Sequence, residues 1–353
     1  MGNSRTLFLF LIVREEIMKR IFLYDMDRVL LIFLLLADLE RDEITYITYE
    51  GKEKILEKLP GKKIILEKSK MYAKNPIFNR FKMASYIKEL RRELSALLED
   101  VKNGRAKIFG MDNLELGRRV FYREEISVIE EGTLNYMPYK AAPSGLKGMV
   151  QDMISLIYGL GERKVLMGYG DKVAKVYLTD SLCDKIPHGL EKKAEIINLK
   201  NLWKRKSERE KELIKEVFGF NSEIFEKVKG ESIMLFTQPM SEDGIVSEER
   251  KIELYSKVIA KYPGKSIIIK SHPREKTDYS SYFPDCYVMK ERYPVELLGV
   301  MGIELEKVVT LFSTAVFGFG KDVAIDFYGS EVDDKLFERF GSCDNIMVRN
   351  SYL

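Results

Sequence analysis

This sequence has few cysteines and no large excess of positive or negative charge. The three cysteines, Cys183, Cys286 and Cys343, lie far apart and form no Cys-x-x-Cys pair. This spacing indicates neither a zinc site nor a disulfide framework, and it suits a reducing cytoplasm. The 58 basic residues nearly balance the 55 acidic ones. A dedicated nucleic-acid binder normally shows a clear basic excess, so we expect no nucleic-acid partner.

Long hydrophobic runs are missing as well. The two apolar runs near the N-terminus, Leu7–Val13 and Val29–Ala37, are shorter than the ~20 residues that a membrane-spanning helix needs. The first run could be a weak signal peptide, but charged residues follow it and it lacks a small-residue cleavage site. We favour a fold that starts near Met18, with residues 1–17 as an upstream extension. The expected location is the cytoplasm, with peripheral attachment at the inner face of the membrane left open.

The sequence does contain enough apolar material for two hydrophobic cores. Its 353 residues exceed the roughly 250–300 at which a single core stops growing. Hydrophobic residues make up 45% of the chain and charged residues 32%, as in ordinary soluble proteins. Short strand-like runs alternate with helical stretches, which predicts an α/β fold with parallel sheets.

The alternation is interrupted once, by a strongly charged helical stretch near 204–218. We expect this helix to connect a first Rossmann-like domain, residues 1–228, to a second one, residues 229–353. The first domain is predicted to begin with the strand Arg20–Tyr24 and the second with the strand Ser232–Phe236. The other predicted strands are Ile44–Tyr49, Lys63–Leu66, Lys107–Phe109, Ile126–Ile129, Val165–Met167, Val176–Leu178, Ser266–Lys270 and Val308–Phe312.

Polar residues directly after predicted strands are the first candidates for a binding site, because open α/β sheets bind ligands beyond the carboxyl ends of their strands. The strand that ends at Lys270 is followed by Ser271, His272, Pro273 and Arg274. Pro273 prevents the strand from continuing. An imidazole on such a turn can donate a hydrogen bond to a phosphate oxygen, while Lys270 and Arg274 add positive potential. The alternative interpretation is a surface histidine in a turn.

Two hydroxyl side chains, Ser313 and Thr314, follow the strand Val308–Phe312. Together with free backbone amides at a strand-to-helix junction, they could form a cradle for a phosphate. Ser-Thr pairs are also common helix caps, so the pair is weak evidence when it is taken alone.

Two acidic loops are candidates for a catalytic base. Glu130, Glu131 and Gly132 follow the strand Ile126–Ile129, and adjacent carboxylates in a cleft can raise each other's pKa. A carboxylate so placed can take a proton from a sugar hydroxyl. The second loop follows Ser232–Phe236 and contains Gln238 and Asp243. An acidic turn without a catalytic role is the simpler interpretation of either loop.

In this order, Glu130–Gly132, His272-Pro273 and Ser313-Thr314 resemble the acidic-acidic-Gly, His-Pro and Ser/Thr motifs of bacterial sialyltransferases and polysialyltransferases. The segments Ser271–Tyr279, Pro294–Glu296 and Leu311–Ala315 most resemble glycosyltransferase family 52, which includes the lipooligosaccharide sialyltransferases. The resemblance implies a GT-B-type fold, with two Rossmann-like domains facing a cleft. It also implies CMP-sialic acid as the donor, inversion at the anomeric carbon, and no required metal or other cofactor.

The resemblance also implies roles for individual residues. His272, Ser313 and Thr314 would bind the CMP phosphate, and Glu296 would meet the ribose hydroxyls. We prefer Glu130, with Glu131 beside it, as the catalytic base and keep Asp243 in reserve, since the acidic pattern occurs twice. The remaining residues expected around the donor are Gly132, Gln238, Lys270 and Pro273.

The implied partners are a nucleotide-sugar donor and a cell-surface oligosaccharide acceptor; a lipid-linked acceptor and a homodimer are left open. One alternative is a glycosyltransferase of the same fold that uses another nucleotide sugar, such as UDP-glucose. Another is a non-catalytic α/β binding protein. An Asp-x-Asp pattern at Asp25 and Asp27 would signal a metal in a GT-A glycosyltransferase. Here it follows the first strand, where acceptor contacts are expected, so we expect no metal site.

Overall fold

The computed structural model describes residues 18–71, 76–136, 139–140, 153, 157–181, 185–221, 223, 231–289, 291 and 293–342. The proposed upstream extension, residues 1–17, therefore lies outside the described residues. So does the predicted division between residues 228 and 229, which remains a proposal.

The first sheet has seven parallel strands in the order β3-β2-β1-β4-β5-β8-β9. Their bounds are β1 Lys19–Leu23, β2 Glu43–Tyr49, β3 Lys62–Leu66, β4 Ala106–Gly110, β5 Ile126–Ile129, β8 Val173–Thr179 and β9 Ala194–Ile197. Apolar runs such as β5, in which all four residues are buried, suit strands that are covered on both faces. The predicted strand Val165–Met167 belongs instead to an antiparallel pair of β6, Tyr139–Lys140, and β7, Val165–Leu166.

The second sheet has five parallel strands in the order β12-β11-β10-β13-β14. Their bounds are β10 Ser232–Phe236, β11 Ser266–Lys270, β12 Tyr287–Met289, β13 Lys307–Thr310 and β14 Ala324–Phe327. β10 and β11 are confirmed as predicted. β13 ends two residues before the predicted Phe312, because the Thr310 hydroxyl donates to the Phe236 carbonyl and accepts the Ser313 amide at the start of the next turn.

The first five strands of both sheets follow one plan, in which the third, second, first, fourth and fifth strands lie side by side. This is the order of a Rossmann-like sheet, with its switch point between the first and fourth strands. The helices of the described residues are α1 Asp27–Leu36, α2 Lys68–Met71, α3 Pro76–Glu93, α4 Ser95–Lys102, α5 Leu199–Arg205, α6 Glu208–Val217, α7 Glu248–Ile259, α8 Tyr279–Tyr282, α9 Val295–Val300 and α10 Asp334–Phe340. Within this part of the chain, no helix is both long enough and apolar enough to cross a bilayer.

One hydrophobic cluster runs from the first sheet to the second. Helix α1 is apolar all round, and its residues Val29–Leu35 are all buried. A helix of this kind needs apolar neighbours on every side. The cluster that contains α1 also includes Phe22 of β1, Trp203 of α5, Leu297 of α9 and Val308 of β13. The two sheets therefore share a continuous core beside the site.

The charged stretch near 204–218 is helical over most of its length, as predicted, and this part is α6. The stretch begins with the end of α5 at Arg205, and Ser207 then caps α6 in a capping box with Glu210. A capping residue in extended conformation separates the two helices. The Glu210 carboxylate also accepts the backbone amide of Leu39 at 3.0 Å, which fixes α6 beside the C-terminal end of α1.

Candidate active site

A cleft of about 760 Å³ lies between the carboxyl ends of the two sheets. The residues after β1 and β5 form one wall, and the residues after β10, β11 and β13 form much of the other. Most of the predicted site residues line this cleft. Those of the second wall are Gln238, Lys270, His272, Pro273, Glu296, Ser313 and Thr314, and those of the first wall are Glu131 and Gly132. The strand-end rule thus places residues in one cleft that are far apart in sequence.

The His272 ring is held by the turn on which it sits. The backbone amide of His272 donates to Glu275 Oε2 at 2.6 Å, and the amide of Glu275 donates back to the His272 carbonyl at 2.9 Å. The amide of Arg274 donates to His272 Nδ1 at 3.1 Å, so the neutral ring carries its proton on Nε2. Burial lowers the pKa of His272, and Arg274 lowers it further. At neutral pH the ring is therefore a neutral Nε2–H donor.

Lys270 places a cation next to this turn, in a position that is only 9% exposed. Its ammonium lies 3.3 Å from the Glu291 carbonyl and 5.6 Å from the centre of the Tyr293 ring. Burial lowers the pKa of Lys270 to about 8, although Glu291 and Glu296 oppose that shift. The nearby carboxylates offset only part of the cost of burying this ammonium, so the site suits an anionic ligand.

Ser313 is the N-cap of a 3-10 helix at Thr314–Asp322, and its hydroxyl accepts the Ala315 amide at 3.4 Å. The cap interpretation and the phosphate-cradle interpretation are therefore compatible, because the same residue caps the helix and lines the cleft. Thr314 is exposed at the cleft. Its hydroxyl is accessible to a ligand there.

Glu296 is fixed from two sides. Its Oε1 accepts Arg28 Nε at 2.6 Å, and only 5% of the residue is exposed. Gly318 packs against it so closely that a Cβ at that position would lie 2.9 Å from Glu296 Oε1 and 2.5 Å from Val295 Cγ2. Glycine at 318 therefore leaves room for the carboxylate in the cleft wall.

The geometry contradicts the preferred assignment of Glu130 as the base. Glu130 is completely buried and is absent from the cleft wall. Its Oε1 accepts Arg28 Nη2 at 2.5 Å, and its Oε2 accepts the Tyr136 hydroxyl and the Thr179 amide, both at 2.6 Å. A carboxylate with this many donors has no free position for a substrate proton. Glu130 and Glu296 lie on either side of Arg28 and both accept from its guanidinium.

Glu131, the next residue, does line the cleft. Burial raises the pKa of its carboxyl and nearby Asp112 adds to the shift, while a hydrogen bond from Asn113 at 3.0 Å opposes it. A partly buried carboxylate with a raised pKa, facing the cleft, has the properties of a general base.

Asp243, the reserve candidate, is not among the residues that line the cleft. Its two oxygens accept Arg274 Nη1 at 2.5 Å and Nη2 at 3.0 Å, and the ion pair is largely exposed on the arginine side. Asp243 nevertheless lies close enough to His272 to raise the pKa of that ring. It therefore sits beside the histidine turn, in a surface ion pair.

Asp25 and Asp27 line the cleft after β1, where acceptor contacts were expected. Arg28 also lines the cleft and was not predicted, although the strand-end rule could have identified it. Asp27 accepts the Tyr24 hydroxyl at 2.5 Å, and Asp25 pairs with Lys52 at 3.5 Å. Among the described residues, no group of three or more His, Cys, Asp and Glu side chains is arranged to hold a metal ion.

Known proteins resemble this chain in both sequence and fold. The pattern of glycosyltransferase family 52 matches residues 69–336. An uncharacterized protein of Haemophilus influenzae is 35% identical over 263 residues, which cover 73% of this chain and 81% of that protein. An α/β-galactoside α-2,3-sialyltransferase structure from Photobacterium phosphoreum aligns with a TM-score of 0.50 and 14% identity, over 95% of this chain and 96% of that one.

The predicted fold is confirmed by the structural alignment, because two facing parallel sheets with helices form a GT-B fold. The family pattern spans well over half of the sequence, including the histidine turn and Ser313-Thr314. A member of such a family is an enzyme that takes a sugar from a nucleotide-sugar donor and transfers it to a glycan acceptor. This chain belongs to glycosyltransferase family 52.

Proposed function

We propose that the enzyme is an inverting sialyltransferase, which moves sialic acid from CMP-sialic acid to a hydroxyl of a cell-surface oligosaccharide. The observation that supports the proposal most is the composition of the donor wall. A neutral His272 donor, the Lys270 ammonium and the hydroxyls of Ser313 and Thr314 line one cleft. This set suits a donor with one phosphate, such as CMP-sialic acid, without a divalent ion across a pyrophosphate. The sialyltransferase with the same fold is compatible with this choice.

In the proposed single displacement, Glu131 takes the proton of an acceptor hydroxyl while that oxygen attacks the anomeric carbon. The bond from the anomeric carbon to the phosphate oxygen breaks, and CMP leaves with the electron pair. His272 Nε2–H donates to the departing phosphate, and Lys270 offsets its charge. One preorganised donor of this kind typically contributes about 10²–10³ in rate. Metal-independent transfer is part of the proposal, and we expect activity to persist in EDTA.

The test is a release assay with purified enzyme, in which CMP from CMP-sialic acid is compared with UDP from UDP-glucose. Without acceptor, we expect slow CMP release to water and no UDP release, and a galactoside acceptor should accelerate the CMP reaction. His272→Ala is the control, and it should lose turnover by about 10²–10³ while remaining folded. UDP release without CMP release would instead support the glucosyl alternative.

The base is tested by neutral isosteres at the two remaining candidates. Glu131→Gln should lower kcat by about 10²–10⁴, because general-base assistance is lost, with CMP affinity nearly unchanged. Asp243→Asn is the comparison, and we expect it to lose much less, since Asp243 is already paired with Arg274. The opposite ranking of the two kcat values would assign the base to Asp243, whose position beside His272 makes it the second candidate.

A further inference from the structure

A buried cluster of ionisable side chains lies behind the histidine turn, and the proposed mechanism does not use it. Lys251 of α7 has no exposed surface. Its ammonium lies 2.9 Å from Glu242 Oε2, 3.1 Å from Glu248 Oε2 and 3.9 Å from Glu275 Oε1. Buried ion pairs of this kind often contribute less to stability than apolar side chains of the same volume. The cluster therefore calls for an explanation other than stability.

Glu275 is the member of the cluster that touches the active site. Its side chain has no exposed surface, and it accepts Thr237 Oγ1 at 2.6 Å, the Tyr279 hydroxyl at 2.5 Å and the His272 amide at 2.6 Å. Thr237 follows β10 and His272 follows β11, and both line the cleft. A single carboxylate thus joins two loops of the donor wall.

The hydrogen bonds also connect Glu275 to the orientation of the imidazole. The His272 amide donates to the Glu275 carboxylate, and the Glu275 amide donates to the His272 carbonyl. These two bonds close the turn and place the Arg274 amide at His272 Nδ1. With Nδ1 occupied, the ring proton is on Nε2. Burial raises the pKa of Glu275, and the three hydrogen bonds that its carboxylate accepts oppose that shift, as does the Lys251 ammonium. Lys251 is shared with Glu242 and Glu248, which lie closer to it than Glu275 does.

We propose that Glu275 is a positioning residue for sugar transfer, which fixes His272 in the cleft wall as an Nε2–H donor. The catalytic half of this inference rests on the role proposed above for His272. The positioning half does not, because it concerns the free enzyme and can be measured without a donor.

Because the chain has two histidines, the titration of each imidazole can be followed separately by NMR of ¹³C-histidine-labelled enzyme. His188 is fully exposed and serves as the internal reference. In Glu275→Gln we expect the titration midpoint of His272 to rise, because a loosened turn lets water reach a ring whose pKa is lowered by burial. The His188 midpoint should stay where it is. Turnover of CMP-sialic acid should fall by about 10²-fold, the scale of a 1 Å misplacement, with less change in KM.

The matched control is Glu248→Gln, which also removes a carboxylate from Lys251 but makes no contact with His272. We expect it to leave the His272 midpoint and the turnover near the wild-type values. If Glu275→Gln does not fold, Tyr279→Phe replaces it, since this variant removes one donor and keeps the carboxylate; the expected directions are the same.

Two results would overturn the inference, and they are distinguishable. An unchanged His272 midpoint in folded Glu275→Gln, or an equal shift in Glu248→Gln, would remove the positioning role whatever the turnover. A shifted midpoint with full turnover would remove His272 from the transfer, and with it the catalytic half of the inference.

Discussion

The charge on Lys270 depends on a proton that is held unusually weakly, because the side chain is buried against Tyr293 at the end of β11. Burial lowers its pKa to about 8 from the model-compound value of 10.5. Below pH 8 the ammonium is charged and can pair with a phosphate, and above pH 8 the neutral amine cannot. Nucleotide binding should therefore weaken at a pH where an ordinary lysine is still fully charged.

We expect the affinity for CMP to be constant near pH 7 and to fall as the pH rises through about 8. Isothermal titration calorimetry from about pH 7 to about pH 9.5 measures it, in a range where ordinary lysines stay protonated. Lys270→Met is the control, and it should bind more weakly at neutral pH with a flat profile. A wild-type profile that is flat up to about pH 9.5 would exclude Lys270 from the phosphate contact.

At this scale the sequence predicted the cleft residues after β10, β11 and β13 better than those after β1 and β5. His272, Ser313 and Thr314 could be identified because each follows a strand that is evident from local hydrophobicity. The choice between Glu130 and Glu131 could not be made in this way. Which of two neighbouring carboxylates faces the cleft depends on Arg28 and Thr179, which belong to other parts of the sheet. Glu275 was missed for the same reason, since Thr237 after β10 and Lys251 of α7 are far from it in the sequence.

Among the elements, helix α1 is apolar except in its first turn, where Arg28 makes ionic contacts. Arg28 donates through Nε to Glu296 at the start of α9 and through Nη2 to Glu130 after β5, at 2.6 and 2.5 Å. Both carboxylates are almost fully buried. Arg28 is thus an ionic link between the two sheets, at the floor of the cleft.

Arg28→Met should lower the free energy of unfolding by about 3–5 kcal/mol, because it leaves two buried carboxylates without their cation. It should also weaken CMP binding, since Glu296 loses the contact that fixes it. Urea unfolding and calorimetric titration measure the two effects. The matched control is Arg20→Met, which breaks the ion pair with Asp42 within the first sheet and should destabilise the protein without altering CMP affinity. Equal stability of Arg28→Met and wild type would contradict the link.

The strands that could be predicted are those whose own residues form uninterrupted apolar runs, such as β10 and β11. The edge strands β12 and β14 were not predicted. They have three and four residues, which are mostly half-buried. They form strands because β11 and β13 provide the backbone groups with which they pair. Pairing of this kind is tertiary information that a local pattern does not contain.

At the scale of the whole molecule, one hydrophobic cluster includes residues of both sheets. The alternation of strands and helices predicted parallel sheets, and the family resemblance implied two such domains that face a cleft; this fold is confirmed. The sequence did not predict that α1 would be buried between them. An all-apolar helix signals burial, but the surface that covers it is fixed only by the packing of α5 and α9.

We therefore expect one calorimetric transition, with equal calorimetric and van't Hoff enthalpies. Saturating CMP should shift that whole transition, because a ligand at 100 times its Kd adds about 2.7 kcal/mol to stability. Differential scanning calorimetry with and without CMP measures both. Two transitions, of which CMP moves only one, would show that the halves unfold independently in spite of the shared core.

The common strand order of the two sheets has a consequence for how such an enzyme can change over time. Each half presents its loops to the cleft from equivalent positions of the same plan, and the two sets of loops belong to different stretches of the chain. Insertions or substitutions after β1 and β5 can remodel one wall while the turn at His272 and the cap at Ser313 stay intact. The two walls of the cleft can in this way evolve separately within one polypeptide.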